Sequence, residues 1–135
     1  MLEARFFSPE EMHSYKYLFI RCFGYWDNKH TPEIVAVMEL DRDPIAFLSG
    51  RWNSKDLFYI QYCGVVPEQR IKNASLFLTE GLKLIGAAGF TTYTPNDNQP
   101  AMKVLLNLGF RVIGIRFTED RKILVEWGWM KSWPS

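Results

Sequence analysis

Three strand-like runs follow one another between Glu33 and Val66, and directly after them the hydrophobic period changes from that of a strand to that of a helix. The runs are Glu33 to Leu40, Ile45 to Trp52 and Leu57 to Val66, joined by Asp41-Arg42-Asp43-Pro44 and Asn53-Ser54-Lys55-Asp56. Both connections have turn chemistry and hairpin length, which predicts an antiparallel meander. In the third run neither face is clearly polar, as expected of a central strand covered on both sides. After Pro67, Ile71, Ala74, Leu78, Leu82 and Ile85 form one stripe, with Leu76, Phe77 and Leu84 around the rest; the pattern predicts a largely buried helix ending at Gly89. Phe90 to Thr94 reads as a further short strand. A strand, a helix and a strand in succession normally give a parallel pair, because the crossover returns the chain to the same end of the sheet. A meander feeding such a crossover calls for a mixed sheet with helices on its faces.

The flanks complete the order. Leu2 to Phe7 reads as a strand, and Ser8-Pro9-Glu10-Glu11 is a helix start, with Ser8 as cap, Pro9 in the first turn and Glu11 closing a capping box. That helix carries Met12, Tyr15, Phe19 and Phe23 at spacings of three and four and stops at Gly24, before a loop of polar and aromatic residues from Tyr25 to Pro32. Downstream, Pro95-Asn96-Asp97-Asn98 leads into a helix with Ala101, Val104, Leu105 and Leu108 on one face, ended by Gly109. Phe110 to Phe117 and Lys122 to Trp129 form a last hairpin. The class is α/β with a mixed sheet, in the order β-α-β-β-β-α-β-α-β-β. With 135 residues and neither repeat nor linker, a single domain over 1–135 is expected.

Sixteen Lys and Arg against fifteen Asp and Glu leave a net charge of +1, scattered along the chain. That argues against a nucleic-acid or anionic-membrane partner, since phosphate backbones are held by clustered cations. Cys22 and Cys63 lie far apart, with His13 and His30 as the other soft ligands, so neither a metal site nor a disulfide framework is expected. The first residues mix acid and base with no long apolar run after them, which predicts no signal peptide or membrane span and a cytoplasmic protein. Both histidines read as exposed; for His30, in a loop beside Pro32, bordering a substrate cleft is the alternative.

Two segments carry a family resemblance. The first is Cys63-Gly64-Val65-Val66-Pro67-Glu68-Gln69-Arg70-Ile71-Lys72-Asn73-Ala74-Ser75, and the second is Asn98-Gln99-Pro100-Ala101-Met102-Lys103-Val104-Leu105-Leu106-Asn107-Leu108-Gly109-Phe110. Together with the element order they make nearly the whole chain resemble the GNAT family of acyl-CoA N-acyltransferases. Val65, Pro67 and Arg70 match the family's Val-x-Pro-x-x-Arg stretch, and Asn98, Ala101, Gly109 and Phe110 match its Asn-x-x-Ala…Gly-Phe segment. Three departures stand out: Asn73 and Ser75 occupy the places of the loop glycines, Ile71 that of the Gly after Arg, and Leu105 that of the Tyr often used as general acid. Compact versions of this kind also resemble proteins encoded by bacteriophages.

The resemblance implies acetyl-CoA as cofactor. Its pyrophosphate would sit on the amides from Arg70 through Ile71, Lys72, Asn73 and Ala74 to Ser75, with Arg70 and Lys72 as cations. Cys63 and Val65 would line the pantetheine arm, and Asn98 would bond it or a phosphate. Backbone N–H groups at a helix start suit this anion, and glycine there serves close approach or positive φ.

Acyl transfer also needs a neutral amine, and the central strand holds no carboxylate to receive the proton. No single catalytic residue is legible; Gln61, Tyr62 and Tyr93 are the nearby options, while Glu39 and Glu126 on other strands read as solvated. By resemblance, Tyr25 and Trp26 in the loop after the first helix would contact the acceptor. Phe6, Phe7, Tyr15, Phe19, Phe47, Phe58 and Phe110 occupy core-type positions. Trp127, Trp129 and Trp133 are less easily hidden, which marks Trp129 and Trp133 for a homodimer seam or partner surface. The expected activity is transfer of acetyl from acetyl-CoA to a primary amine, on a small molecule or a protein lysine, by direct attack. The alternative is a GNAT-fold binding or structural protein without catalysis, a virion component or an inhibitor of a partner.

Overall fold

A computed structural model describes residues 1–30 and 32–134, apart from the side chains of Ile71 and Lys72. The elements are β1 (Leu2–Phe6), a 3₁₀ turn at Pro9–Glu11, α1 (Met12–Phe23), β2 (Ile34–Leu40), β3 (Asp43–Trp52), β4 (Leu57–Val65), a 3₁₀ turn at Pro67–Gln69, α2 (Arg70–Ile85), β5 (Gly89–Pro95), α3 (Gln99–Asn107), β6 (Arg111–Phe117) and β7 (Ile123–Met130). The strands make a seven-stranded mixed sheet in the order β1-β2-β3-β4-β5-β7-β6. The mixed α/β class and the element order are those expected from the sequence. The chain divides into two compact units, Met1–Arg51 with Ile60–Gly86 and Trp52–Tyr59 with Ala87–Ser135.

In the first unit β1, β2 and β3 pair antiparallel, from Leu2↔Leu40 to Phe6↔Ala36 and from Ile34↔Gly50 to Leu40↔Asp43. β3 starts two residues earlier than its hydrophobic run, because the turn is a two-residue one. Asp41 and Arg42 take φ of 51° and 72°, the doubly left-handed path that matches strand twist. Successive residues of β3 face opposite ways. Phe47 meets the Tyr15 and Phe23 rings of α1 at 5.3 and 5.9 Å, while Leu48 Cδ1 lies 2.7 Å from where a Cβ on Gly81 of α2 would stand. Helices α1 and α2 therefore cover opposite faces of this sheet, which is why Val35, Ala36, Val37 and Met38 on β2 are all buried.

Helix α2 ends at Gly86, not Gly89. Gly86 takes φ of 69° and its N–H donates to Leu82 O at 3.0 Å, whereas Gly89 opens β5. Its buried stripe is Phe77, Leu78, Gly81 and Ile85; Leu76 is 54% exposed, so the helix is covered on one side only. Phe6 is likewise 46% exposed, outside the core that its residue type predicts. Arg5 bonds Glu11 and Glu39 at 2.8 Å each, so Glu39 is ion-paired and not merely solvated.

In the second unit β4 and β5 run parallel, with Leu57, Phe58 and Tyr59 opposite Gly89, Phe90 and Thr91. β5 pairs antiparallel with β7, and β7 with β6. Trp127 on β7 is buried, 2% exposed, with its indole N–H donating to Thr94 Oγ1 at 2.9 Å, which removes it from the exposed aromatics. Trp129 packs on Phe90 at 5.7 Å, and Trp133 lies under the Arg111 guanidinium at 4.5 Å; both are half-buried. β6 ends the sheet order and exposes Val112, Ile113, Ile115 and Phe117. Ile113 is an extra residue between the pairs Val112↔Trp127 and Gly114↔Glu126, and such a bulge blunts an edge against pairing with other chains. Among the described residues no helix is long and apolar enough to cross a membrane.

Candidate functional site

A buried polar group sits in the first unit where α1, β3 and β4 meet the loop after α1. His30, read from the sequence as exposed, is 4% exposed, and Tyr15 and Ser49 are fully buried. The Tyr15 hydroxyl contacts His30 Nε2 and donates to Ser49 Oγ at 2.9 Å, and Ser49 Oγ lies 3.1 Å from Nε2. His30 Nδ1 lies 3.2 Å from Gln61 Oε1, an acceptor, which assigns the ring proton to Nδ1 and leaves Nε2 to accept from a hydroxyl. Burial pushes the imidazole below its ordinary range, opposed in part by Gln61 and by the charge of Asp27, so it is neutral at pH 7.

This has a measurable consequence. A folded state that resists protonating His30 binds fewer protons than the unfolded chain, so stability is full above the ordinary histidine value near 6.5 and falls as pH drops below it. The urea midpoint is expected to decrease from about pH 7.5 to about pH 5.5, and His30→Gln to flatten that slope. A slope unchanged in the variant would assign the effect to other groups.

Around this group stand most of the candidates from the central strand and the loop. Tyr62 places its ring edge-on to His30 at 4.7 Å and to Phe19 at 5.0 Å. Its hydroxyl donates to Asp27 Oδ2 at 2.7 Å, while Asp27 Oδ1 accepts from the Lys29 N–H at 2.9 Å. These bonds, Tyr62's first, hold the Asp27 carboxyl below its usual range. The carboxylate that β4 lacks is thus supplied beside it by the loop. Trp26 walls the group, edge-on to Tyr15 at 5.7 Å and to Phe19 at 5.1 Å, whereas Tyr25 is 55% exposed against Phe19. Sequence reasoning missed Asp27 and read His30 as exposed, because the partners of His30 come from three separate elements.

The cofactor candidates fall on consecutive pieces of backbone. Cys63 and Val65 end β4, and the segment from Arg70 to Ser75 opens α2. Arg70 Nε donates to Val65 O at 2.9 Å and its guanidinium also bonds Cys22 O, so this side chain ties strand, helix and helix together. Asn73 is exposed and Ser75 half-buried; the side chains of Ile71 and Lys72 lie outside the described residues. Gly64 lies under α1, where a Cβ would stand 2.9 Å from Phe47 Cε1 and 3.0 Å from Cys22 Cβ. Burial pushes the Cys22 thiol up to about 12 and Cys63 up to about 11, so both are protonated and unreactive at neutral pH.

In the second unit Asn98 caps α3, its Oδ1 accepting from Ala101 N–H at 3.3 Å. Leu105 is buried, 5% exposed, and carries no proton to donate. Tyr93 has different company from the other candidates: its hydroxyl donates to Glu126 Oε2 at 3.1 Å, Tyr59 stands edge-on at 6.0 Å, and Arg116 lies 5.5 Å over its ring. Glu126 is therefore half-buried and bonded, not solvated.

No protein-family model matches the chain, and no curated protein matches it by sequence. Solved structures do match. The ribosomal-protein-S18-alanine N-acetyltransferase from Escherichia coli superposes with a TM-score of 0.76 at 17% identity, over 100% of this chain and 97% of that one. A GNAT-family acetyltransferase from Bacillus cereus gives 0.75 at 16%, over 97% and 98%. Arabidopsis thaliana Naa50, in complex with the bisubstrate analogue CoA-Ac-MVNAL, gives 0.72 at 16%, over 93% and 97%. At such identities the match speaks to the fold, and the fold is that of the GNAT acetyltransferases.

Proposed function

We propose that this chain, with its GNAT fold, is a cytoplasmic N-acetyltransferase that moves an acetyl group from acetyl-CoA to a primary amine by direct attack. One observation carries the reading: the Val65 to Ser75 stretch runs from the end of β4 through a 3₁₀ turn into the first two turns of α2, in a chain that follows the acetyltransferase fold over its whole length.

The residues present fit the cofactor. The first amides of a helix have no partner inside it and favour an anion. Asn73 and Ser75 lie within α2, and among the described residues the non-glycines with positive φ are Asp41, Arg42 and Arg121. The backbone here thus needs no glycine for its path. What glycine would add is room, and Asn73 is exposed at that place. In this reading Arg70 fixes the corner and leaves the anion to the amides that follow it, since its own amide donates to Pro67 O and its guanidinium to Val65 O and Cys22 O.

Acetyl-CoA, when bound, supplies an activated thioester; the chain's own task is the acceptor. A lysine-like amine of pKa about 10.4 is neutral in roughly one molecule in 2,500 at pH 7, a deficit of about 4.6 kcal/mol. The ionised Asp27, bonded to Tyr62, offers a local negative charge for the approaching amine, and the neutral His30 group behind it keeps that wall rigid. With Leu105 in the place of the family's acid, the departing thiolate takes its proton from water.

The test is calorimetric titration with acetyl-CoA beside thermal unfolding. A cofactor at a hundred times its dissociation constant is expected to stabilise the fold by about 2.7 kcal/mol. No heat and no shift at millimolar acetyl-CoA would overturn the reading. The buried Leu105 favours a second one, a binding protein without turnover, which gains if acetyl-CoA binds and no amine is acetylated.

A further inference from the structure

The chain leaving β1 and the chain entering β2 part around a pocket of about 180 Å³, and the residues that line it belong to the first unit. Its walls change with depth. Tyr15 and Val35, both buried, make the floor; Phe7 and Pro32 are half-buried, and Pro9 and Met12 are exposed, Met12 at 43%. Ser8 and Glu33, exposed and polar, complete the lining. Tyr15 offers the pocket its ring and not its hydroxyl, because that oxygen is taken up by Ser49 and His30, neither of which lines the pocket.

Size and walls together select an occupant. An apolar cavity of about 150 Å³ takes one benzene ring, so this one holds a single ring and little more. Two aromatic side chains and a thioether favour an aromatic ring over an aliphatic group of equal size, through edge-to-face and sulfur contacts. The charge at the mouth adds a second condition. Glu33 is part of the lining, and Ser8 brings two more carboxylates to it. Ser8 Oγ donates to Glu11 Oε1 at 3.2 Å, and the Glu10 carboxyl is held below its ordinary range by its own backbone N–H and by Ser8. Arg5, the cation beside the pocket, lies 5.0 Å over the Phe7 ring and is held by Glu11 and Glu39 at 2.8 Å each. Acid is left in excess at the opening, which attracts a cation and turns an anion away.

We propose that this pocket binds an aromatic cation, with one ring inside and the positive charge at the mouth by Glu33. The site is separate from acetyl transfer. A quaternary ammonium, which has no nitrogen lone pair to acylate, meets its conditions as fully as an amine does.

The test uses the full chain without acetyl-CoA. Benzyltrimethylammonium is expected to give a saturable shift of the Met12 methyl resonance, assigned through Met12→Leu, with a dissociation constant in the millimolar range. Tetramethylammonium, which lacks the ring, and phenylacetate, which carries the opposite charge, are expected to bind at least about tenfold more weakly. Glu33→Lys and Met12→Lys, both at exposed positions, are expected to weaken benzyltrimethylammonium by at least about tenfold, read from the ligand's own resonances, and Glu33→Lys to leave the uncharged benzyl alcohol bound as before. A wild-type chain without a saturable shift overturns the proposal. So does phenylacetate or tetramethylammonium bound as tightly as the aromatic cation, or wild-type affinity in both lysine variants. The comparison of probes on the wild-type chain decides the matter even if neither variant folds.

Discussion

Tyr15→Ala is expected to destabilise the protein by about 3–5 kcal/mol, lowering Tm by roughly 10–20 °C. Tyr15 is fully buried and its ring stands edge-on to Phe19, Trp26 and Phe47 at 6.2, 5.7 and 5.3 Å, so truncation opens a cavity among α1, the loop after it and β3. It also removes one of the two partners of Ser49 Oγ and one of His30 Nε2. Tyr15→Phe keeps the ring and isolates the second effect, about 1–2 kcal/mol. Urea unfolding of the two variants separates the packing from the hydrogen bonds. Equal losses in both would show that the ring contributes little, against the geometry of its contacts.

Asn73→Asp together with Ser75→Asp is expected to abolish acetyl-CoA binding, a loss of at least about a hundredfold. Like charges about 4 Å apart near a protein surface repel by about 4 kcal/mol, so even half of that at each position suffices. The fold should not suffer. Asn73 closes the first turn of α2, where an added carboxylate is favoured by about 0.3–1 kcal/mol, and Ser75 lies in the second turn beyond that effect, so Tm should change little. Calorimetry reads the affinity and thermal unfolding the stability. Unchanged affinity would remove the head of α2 as the pyrophosphate cradle, whatever the fold.

Most of the architecture was legible because it rests on local chemistry. Period, caps and turn residues place every strand and helix to within a few residues, and the capping box at Ser8 and Glu11 and the stop at Gly24 stand where their residue types put them. The errors have local causes as well. Three glycines fall between 81 and 89, and which of them ends α2 depends on φ and not on composition. Trp127 looked exposed because a C-terminal hairpin gives no sign of what covers it, and Thr94, its partner, is thirty-three residues away. The site was legible in part. Gln61, Tyr62 and Trp26 were singled out and do gather around one group, but its centre, His30, was not. A histidine in a polar loop carries no local mark of burial; its partners are contributed by α1, β3 and β4 and meet only when the chain has folded. Glu126 reads as solvated in the sequence for the same reason, since the room it occupies is made by a glycine on a neighbouring strand.

Arg70 joins pieces of the first unit that would otherwise act separately. Its guanidinium fastens Val65 O at the end of β4 and Cys22 O in the last turn of α1, while its own backbone begins α2. The loop bearing Trp26, Asp27 and His30 leaves α1 directly after that fastening. The head of α2 and the root of the loop thus share one fastening, through which ligands seated at the two would be coupled. Coupling of this sort is symmetric: whatever the first ligand does to the affinity of the second, the second returns by the same factor. Removing the Arg70 side chain would then be read in both affinities together, and not in one alone.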